Sequence, residues 1–401
     1  MDILQPPYAE PEHTEVGPPS IPSPIPRAYC PLSRDLRVVR RNSSADAFYR
    51  KIPLKPLVCR ADNKGGNCNK AVFMPHFLRF RLSSLLPAFA LLSLHAGLAG
   101  CAHKEPLRIG LNLWPGYEFI FLAEHLGYFK DEGVDVKLID FSSLGDARRA
   151  FERGQIDGLG TTVVEVMLAN EASADPLKIV NVVDYSDGAD VIIARPGFAN
   201  IASLKGRKVG VELGSICVYV LARALEQAGM TLADVVVVSK DQASMEADLR
   251  AGELDAIVTY PPTSIDALKD PTFTPVFSTK KTPREVVDVI AFGDKTITQR
   301  PKDVAAVLRA HKRAQDYYVT HKAEALQIMG KREGVSPEEF ELALTEGMRL
   351  VTASDQSAYF AQGVLKTVID RTGQVLSQTK LLRQPKATET YFSDRFVSAA
   401  P

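Results

Sequence analysis

The chain has 401 residues, and its 48 acidic side chains balance its 48 Lys and Arg side chains, so its formal net charge is zero. Because neutralising nucleic-acid phosphates requires a surplus of Lys and Arg, this balance disfavours a nucleic-acid-binding protein, and we expect no nucleic acid as partner. With 45% hydrophobic and 24% charged residues, the composition is that of a globular protein with two or three domains.

Residues 1–73 form the least globular part of the sequence. They contain proline-rich tracts and then a basic stretch, and neither helical nor strand periodicity persists long enough to bury a face. The three cysteines of this segment, Cys30, Cys59 and Cys68, lack the pair spacing of a metal site. We therefore predict a disordered N-terminal extension, and the alternative is a functional proline-rich arm.

An export signal is predicted next, over residues 74–100. A short basic start after Met74 is followed by an apolar run from Leu82 to Leu98 with small residues near its end, which is typical of secretory signal peptides. The run is too short and too interrupted for a good membrane-spanning helix. Its end, Leu98-Ala99-Gly100-Cys101, resembles the lipobox of bacterial lipoproteins, in which the cysteine is lipidated and becomes the mature N-terminus.

The position of this signal changes the interpretation of residues 1–73. The export machinery reads the beginning of a nascent chain, so we expect translation to start at Met74 and residues 1–73 to be upstream sequence wrongly joined to the reading frame. Cys101 is then a lipid attachment site. The alternative is that the apolar run forms a buried helix in a longer cytoplasmic protein.

Two similar units follow Cys101. Residues 107–111 match residues 207–211, and Gly154-Gln155-Ile156-Asp157 parallels Gly252-Glu253-Leu254-Asp255, in both cases about 100 positions later. Each unit reads as strand, helix, strand, helix, glycine turn and strand, an alternation that builds a parallel sheet covered by helices. The sequence therefore predicts two similar α/β lobes.

The elements of these lobes have their own local signals. A helix is predicted from 117 to a glycine stop at 127, and residues 134–141 are rich in the β-branched side chains of a strand. The four consecutive valines within residues 234–239 favour a strand buried on both faces. We interpret residues 178–196 as a crossover between the lobes and the chain from Pro301 onward as helical.

Several blocks together resemble one known family. They are the lipobox and residues 108–117, 123–129, 154–158, 204–211 and 252–256. Their order and spacing resemble the nitrate/sulfonate/taurine-type substrate-binding proteins of ABC importers, in a superfamily that also contains thiamine pyrimidine synthase. The resemblance covers roughly residues 105–390 and does not identify a ligand.

The resemblance implies an α/β fold of the type II-like periplasmic-binding-protein class. Its two lobes, each a mostly parallel sheet flanked by helices, would be hinged around a ligand cleft. Residues 101–190 would form the first part of lobe 1, residues 191–288 lobe 2, and residues 289–401 the return to lobe 1 and the C-terminal helices.

The resemblance also implies partners and a location. A small-molecule ligand would be delivered to an ABC permease and ATPase by a monomer, lipid-anchored at Cys101 on the periplasmic side of a bacterial membrane. We expect no catalytic residue, cofactor or metal.

Candidate ligand-binding residues lie in the loops at the carboxyl ends of the predicted strands, because open α/β sheets bind ligands there. They are Asn112, Trp114, Gly116, Tyr117, Thr161, Thr162, Glu165, Asp187, Gly214, Ser215, Thr259 and Tyr260. Trp114 would stack on a ligand, or it would only pack within its loop. Thr161 and Thr162 would cap a helix or face the cleft, and Ser215 would cap a helix, bind an oxygen-rich ligand group, or do both.

Acidic residues gather near these loops and complicate an anionic ligand. The acids on or near them are Glu118, Glu165, Asp184, Asp187 and Asp190, and the one basic residue close to them in sequence is Arg195. This bias favours a neutral or nitrogen-bearing ligand, such as a pyrimidine or an amine, over a sulfonate or nitrate. The alternative is that these acids are solvated loop residues.

Two other functions stay open at this point. The superfamily includes thiamine pyrimidine synthase, which uses lysine-bound pyridoxal phosphate, iron and a cysteine-rich motif, but residues 102–401 contain a single cysteine, Cys217. A non-catalytic protein is therefore the favoured interpretation. A sensory binding protein that presents its ligand to a membrane receptor is the second alternative.

Overall fold

The computed structural model describes residues 105–397. The predicted extension at 1–73, the export signal at 74–100 and the lipidation site Cys101 lie outside the described residues. Between residues 105 and 397, no helix is both long and apolar enough to cross a bilayer.

The described residues form eleven strands and thirteen α-helices. The strands are β1 (Leu107–Leu111), β2 (Val136–Asp140), β3 (Gly158–Thr162), β4 (Leu177–Ser186), β5 (Val191–Ala194), β6 (Lys208–Val211), β7 (Val236–Ser239), β8 (Ala256–Thr259), β9 (Thr274–Ser278), β10 (Val287–Gly293) and β11 (Met348–Leu350). The helices are α1 (Glu118–His125), α2 (Tyr128–Asp131), α3 (Leu144–Glu152), α4 (Val163–Ala172), α5 (Ile216–Gln227), α6 (Gln242–Ala251), α7 (Thr263–Leu268), α8 (Asp294–Gln299), α9 (Pro301–Thr320), α10 (Lys322–Glu333), α11 (Pro337–Glu346), α12 (Gln356–Phe360) and α13 (Val364–Gln378).

These strands form two sheets, each the centre of one lobe. The sheet of the first lobe has the order β11-β4-β10-β3-β1-β2, in which β1 is parallel to both β2 and β3. The sheet of the second lobe has the order β7-β6-β8-β5-β9, in which β6 is parallel to both β7 and β8. The duplicated sequence units thus become two equivalent parallel triplets.

Each sheet is mixed rather than mostly parallel, which corrects one detail of the expected fold. Within the described sheets, β10 is antiparallel to β3 and β4, β11 to β4, and β5 to β8 and β9. The chain passes between the sheets twice, through residues 187–190 and residues 279–286. A strand that enters a sheet from the edge where the parallel strands end must run opposite to them, and β5 and β10 do so.

The repeated Gly-x-Ile/Leu-Asp element has the same structural role in both lobes. Asp157 accepts a hydrogen bond of 2.9 Å from the backbone N–H of Arg108 and two more from its guanidinium. Asp255 accepts a hydrogen bond of 2.9 Å from the backbone N–H of Lys208 and one from the guanidinium of Arg195. Each aspartate therefore ties the start of the third strand of its triplet to the start of the first.

The strand with four valines lies at an edge of its sheet and is not buried on both faces. β7 ends the second sheet, pairs with β6, and leaves the Val236 side chain 49% exposed. The β-branched residues favour a strand at this position, but their type does not determine whether a strand is central or at an edge.

The C-terminal helices begin as predicted and return to the first lobe. α9 starts at Pro301, and α11 follows Ser336, whose hydroxyl accepts from the backbone N–H of Glu339 in a capping box. α9 and α10 pack on α1, while α13 packs on α4 of the first lobe and α5 of the second. One hydrophobic core consequently extends through both lobes.

Candidate functional site

The carboxyl ends of the two parallel triplets face each other across a small cavity. The described residues that line it are Asn112, Trp114, Tyr117, Leu144, Thr162, Asp190, Ile216, Tyr260, Val286 and Asp288. The centre of a water molecule can occupy only about 10 Å³ of this space, which is room for about one water. The lobes are therefore closed on each other, and an organic ligand would require them to open.

Trp114 is held in the cavity wall by contacts from both lobes. Its indole Nε1–H donates to Asp184 Oδ2 at 3.1 Å, and its ring meets the edge of the Tyr260 ring with the centroids 6.0 Å apart. Gly116 permits the first contact, because a Cβ at this position would lie 1.8 Å from Asp184 Oδ2. The absence of a side chain at Gly116 thus leaves room for Asp184 to bind the indole of the only tryptophan in the chain.

Asp184 and Asp288 form a buried carboxyl pair, of which Asp288 lines the cavity and Asp184 lies one contact behind it. They are register partners on β4 and β10, and the hydroxyl of Tyr117 donates to Asp288 Oδ1. Burial raises the pKa of Asp184 to about 7, and burial together with the charge of Asp184 raises the pKa of Asp288 well above its ordinary value. Because adjacent carboxylates resist double ionisation, we infer that the pair keeps at least one proton at neutral pH.

Glu165 caps one helix in each lobe. It completes a capping box at the start of α4 with Thr162, whose hydroxyl and backbone N–H both donate to Glu165 Oε2. The hydroxyl of Thr161 lies 3.4 Å from the same oxygen. In the opposite lobe, the backbone N–H of Ile216, the first residue of α5, donates to Glu165 Oε1 at 2.6 Å.

Glu212 makes the reciprocal contact from the second lobe. Its Oε1 accepts from the backbone N–H of Gly145 in the first turn of α3 at 2.8 Å, and its Oε2 lies 3.5 Å from the hydroxyl of Tyr260. Burial raises the pKa of Glu212 to about 7. Helix N-termini attract anions, so each of these two helix starts is occupied by a carboxyl group of the opposite lobe.

Asp190 is the least compensated acid of the cavity wall. It lies in the crossing segment 187–190, and its side chain is almost fully buried. Burial, opposed by a hydrogen bond from Ser186, raises its pKa to about 7. Its Oδ2 has no hydrogen-bond partner among the described residues.

Most of the sequence-predicted ligand residues lie on the cavity wall or one contact behind it. Those on the wall are Asn112, Trp114, Tyr117, Thr162 and Tyr260. Those one contact behind are Gly116, Thr161, Glu165 and Ser215. The hydroxyl of Ser215 caps α5 by accepting from the backbone N–H of Cys217 at 3.3 Å, so the structure shows the capping role.

Three predicted residues lie away from the cavity. Asp187 pairs with Arg349 of β11, with an N–O distance of 2.8 Å. The hydroxyl of Thr259 donates to Gln242 at 2.8 Å, and Gly214 adopts a φ of +73° in the turn before α5. Their selection rested on position after predicted strands, and in this closed form they do not line the cavity.

Some cavity residues were missing from the sequence-based set. Leu144, Ile216 and Val286 are apolar, and no sequence feature marked them as ligand-binding residues. Asp288 did have such a feature, since it is a single acidic residue inside the apolar run of β10. Asp190 was recognised only as one loop acid among several.

The charges around the cavity are acidic and uncompensated. None of the described lining residues is Lys, Arg or His. Arg148 and Arg149 lie on α3 beside the cleft, but they pair with Glu152 and Asp146. Arg195 pairs with Asp255 at the opposite edge of the second sheet, and Glu118 pairs with Arg332 on α10.

The acids do not form a metal centre. Within residues 105–397, no group of three or more His, Cys, Asp or Glu side chains is arranged to hold a metal ion. The chemistry that the cavity offers is hydrogen-bond acceptance by carboxyl and amide oxygens beside two aromatic rings.

Comparisons with known proteins agree with this architecture. The profile of a family described as "NMT1/THI5 like" matches residues 114–325. A protein of Brucella abortus (strain 2308), named as a binding protein with no ligand stated, is 23% identical over 265 residues, which cover 63% of this chain and 79% of that protein. The 4-amino-5-hydroxymethyl-2-methylpyrimidine phosphate synthase of Aspergillus parasiticus is 24% identical over 234 residues, which cover 53% of this chain and 66% of that enzyme.

A solved structure shows the same fold. The periplasmic aliphatic sulphonate-binding protein of Escherichia coli superposes with a TM-score of 0.59 at 19% identity, covering 72% of this chain and 92% of that one. The expected periplasmic-binding-protein fold is thereby confirmed.

Proposed function

The chain belongs to the NMT1/THI5-like family, and from that premise we propose that it is an extracytoplasmic solute-binding protein of an ABC importer. It captures one small molecule between its lobes and presents the closed form to a permease and its ATPase. The binding site is the cavity between the two parallel triplets, with the candidate residues named above as its walls. The chain acts as a monomer, anchored through a lipid on Cys101 at the periplasmic side of a bacterial membrane.

The observation that carries this proposal is the cross-lobe closure around the cavity. Glu165 reaches from the first lobe to α5, Glu212 reaches from the second lobe to α3, and Trp114 meets Tyr260 between them. All these contacts must break for a ligand to enter, and only residues 187–190 and 279–286 carry the described chain between the sheets. Ligand binding would shift the population between open and closed forms, which is how a receptor signals occupancy.

The enzymatic alternative rests on family membership and on the pyrimidine synthase relative. It has no matching nucleophile in the described site, since the Cys217 thiol is buried in α5 and burial raises its pKa well above the ordinary value. A buried thiol with a raised pKa is typical of packing rather than of nucleophilic catalysis. We therefore propose binding without chemical conversion.

A thermal-shift screen tests the proposed function. Residues 102–401, which include the whole described core, are melted with sulfonates, nitrate, pyrimidines and amines in turn. A compound that binds the folded state must raise the melting temperature, and Tyr260→Ala should remove that rise. If no compound of these classes shifts the melting temperature, or if the bound compound is recovered chemically altered, the proposal is contradicted.

Transport and sensing are separated by a second measurement. Deletion of the neighbouring permease gene should abolish uptake of the identified ligand if the protein serves an importer. A sensory role instead predicts unchanged uptake and loss of a transcriptional response to the ligand.

A further inference from the structure

The polar atoms left unpartnered in the cavity wall are all acceptors. They are Asn112 Oδ1 and Asp190 Oδ2, and each belongs to a side chain that is about 3% exposed. Buried acceptors without a partner are unfavourable, so a ligand that supplies donors would stabilise a form in which the lobes close around it after they have moved apart to admit it.

The donors of the same wall are already engaged. The indole N–H of Trp114 donates to Asp184, and the hydroxyl of Tyr117 donates to Asp288. The hydroxyl of Thr162 donates to Glu165, and the amide nitrogen of Asn112 donates to the carbonyl of Leu113 at 2.9 Å. A ligand rich in acceptors would find few free donors here.

The positions that favour an anion are also occupied. The N-termini of α3 and α5 point toward the cleft, and they bind the carboxyl groups of Glu212 and Glu165. A sulfonate or nitrate would have to displace one of these carboxyl groups and then lie beside Asp190 and Asp288. Repulsion between like charges in a buried site opposes that arrangement.

We propose that the ligand of this cleft is an organic cation with N–H groups, an ammonium, amidinium or guanidinium, bound by Asp190 and Asn112 beside the rings of Trp114 and Tyr260. This inference rests on the proposed function and specifies its ligand class. The Asp190 carboxylate supplies the opposite charge, the two acceptor oxygens receive N–H groups, and the aromatic faces favour a cation beside an apolar tail.

Protons take the place of the cation when the cleft closes without ligand. The titratable groups that interact electrostatically with Asp190 or with its neighbours are all acids. They are Glu165, Asp184, Glu212, Cys217, Tyr260 and Asp288. Burial raises the pKa of Asp184, Asp190 and Glu212 to about 7, so below that pH these carboxyls hold protons in the closed form, and a cation must displace protons to bind. Its affinity should therefore rise with pH up to about 7 and then level off, by about tenfold per pH unit for each proton displaced.

Matched pairs of probes test the ligand class by calorimetry. The purified chain is titrated with methyl-, butyl- and benzylammonium, and with methane-, butane- and benzenesulfonate, at pH 5.5, 6.5 and 7.5. We expect at least one ammonium ion to bind more tightly than its matched sulfonate, with an affinity that rises with pH. Benzyltrimethylammonium, which lacks N–H groups, should bind at least tenfold more weakly than benzylammonium.

Variants connect the binding to the named oxygens. Asp190→Asn retains shape but replaces an acceptor with a donor, and it should weaken ammonium binding about tenfold or more. Asp316→Asn on the exposed face of α9 removes the same charge and should change nothing. The melting temperature of each variant verifies folding.

The outcomes separate the two proposals. Tighter sulfonate binding in every pair, ammonium binding that does not depend on pH, or unchanged binding in Asp190→Asn overturns the cation assignment and leaves the proposed function standing. Equal binding of benzyltrimethylammonium overturns the assignment of N–H donors. If no probe of either class binds, the cation assignment fails, and a failed thermal-shift screen would then remove the proposed function as well.

Discussion

Replacing Asp190 with asparagine should stabilise the ligand-free protein at pH 8 and not at pH 4. Asp190 is fully buried and has an unpartnered Oδ2, and burial raises its pKa from the ordinary 3.8 to about 7. Because the folded state then binds more protons than the unfolded state between these two values, the contribution of Asp190 to stability is present at pH 4 and is lost as the pH rises through 7. A difference of about 3 pH units corresponds to about 4 kcal/mol.

The free-energy difference of about 4 kcal/mol is an upper limit, because opening of the lobes would hydrate the Asp190 carboxylate. Thermal melts followed by circular dichroism from pH 4 to pH 8 measure the effect on the wild type, Asp190→Asn and the surface control Asp316→Asn. The advantage of Asp190→Asn should grow up to pH 7 and then level off, reaching at most roughly 8 °C for a domain of this size. A difference between Asp190→Asn and wild type that is independent of pH, or that shrinks as the pH rises, would refute the reasoning.

Three further predictions concern closure, the tryptophan and the anchor. Glu212→Ala removes the acceptor for the Gly145 N–H, a contact that joins the two lobes. The radius of gyration of the ligand-free protein, measured by small-angle scattering, should therefore increase. An unchanged radius would show that this contact does not hold the lobes closed. Gly116→Ala places a Cβ where Asp184 Oδ2 lies, so the Trp114–Asp184 hydrogen bond should break and the wavelength of tryptophan emission should shift. Unchanged emission would show that the loop adapts to the added methyl group. Cells expressing the chain should incorporate radiolabelled palmitate into it, and Cys101→Ser should abolish the label; labelling that persists in Cys101→Ser would exclude this anchor.

The fold could be predicted because its signals are local and repeated. The β1 and β6 sequences and the two Gly-x-Ile/Leu-Asp elements recur about 100 residues apart, and the structure explains the second by the same backbone hydrogen bond to Asp157 and Asp255. The helix start at Pro301 was also visible, because it depends on neighbours within four residues. The edge position of β7 and the antiparallel insertion of β10 were not visible, because both depend on partners far away in sequence.

The site could be predicted only in part, for a similar reason. Because topology alone brings the loops after parallel strands to one edge of the sheet, the sequence predicted that Trp114, Tyr117 and Tyr260 lie near the cleft. Asp288 lies at the start of a strand that enters from the other lobe, and a search limited to the carboxyl ends of strands does not reach it. The reciprocal helix caps of Glu165 and Glu212 depend on how the two lobes close, which no local pattern contains.

Fluorescence of Trp114 tests the central claim most directly, because it is the only tryptophan in the chain and lies in the wall of the proposed site. The compound with the largest thermal shift is titrated into the ligand-free protein, and its stoichiometry is measured by calorimetry. We expect a saturable emission change at one ligand per chain, and in Asp190→Asn the same change should require about tenfold more ligand or higher. Binding of one ligand per chain with no change in Trp114 emission would place the ligand outside this cavity and contradict the proposed binding site.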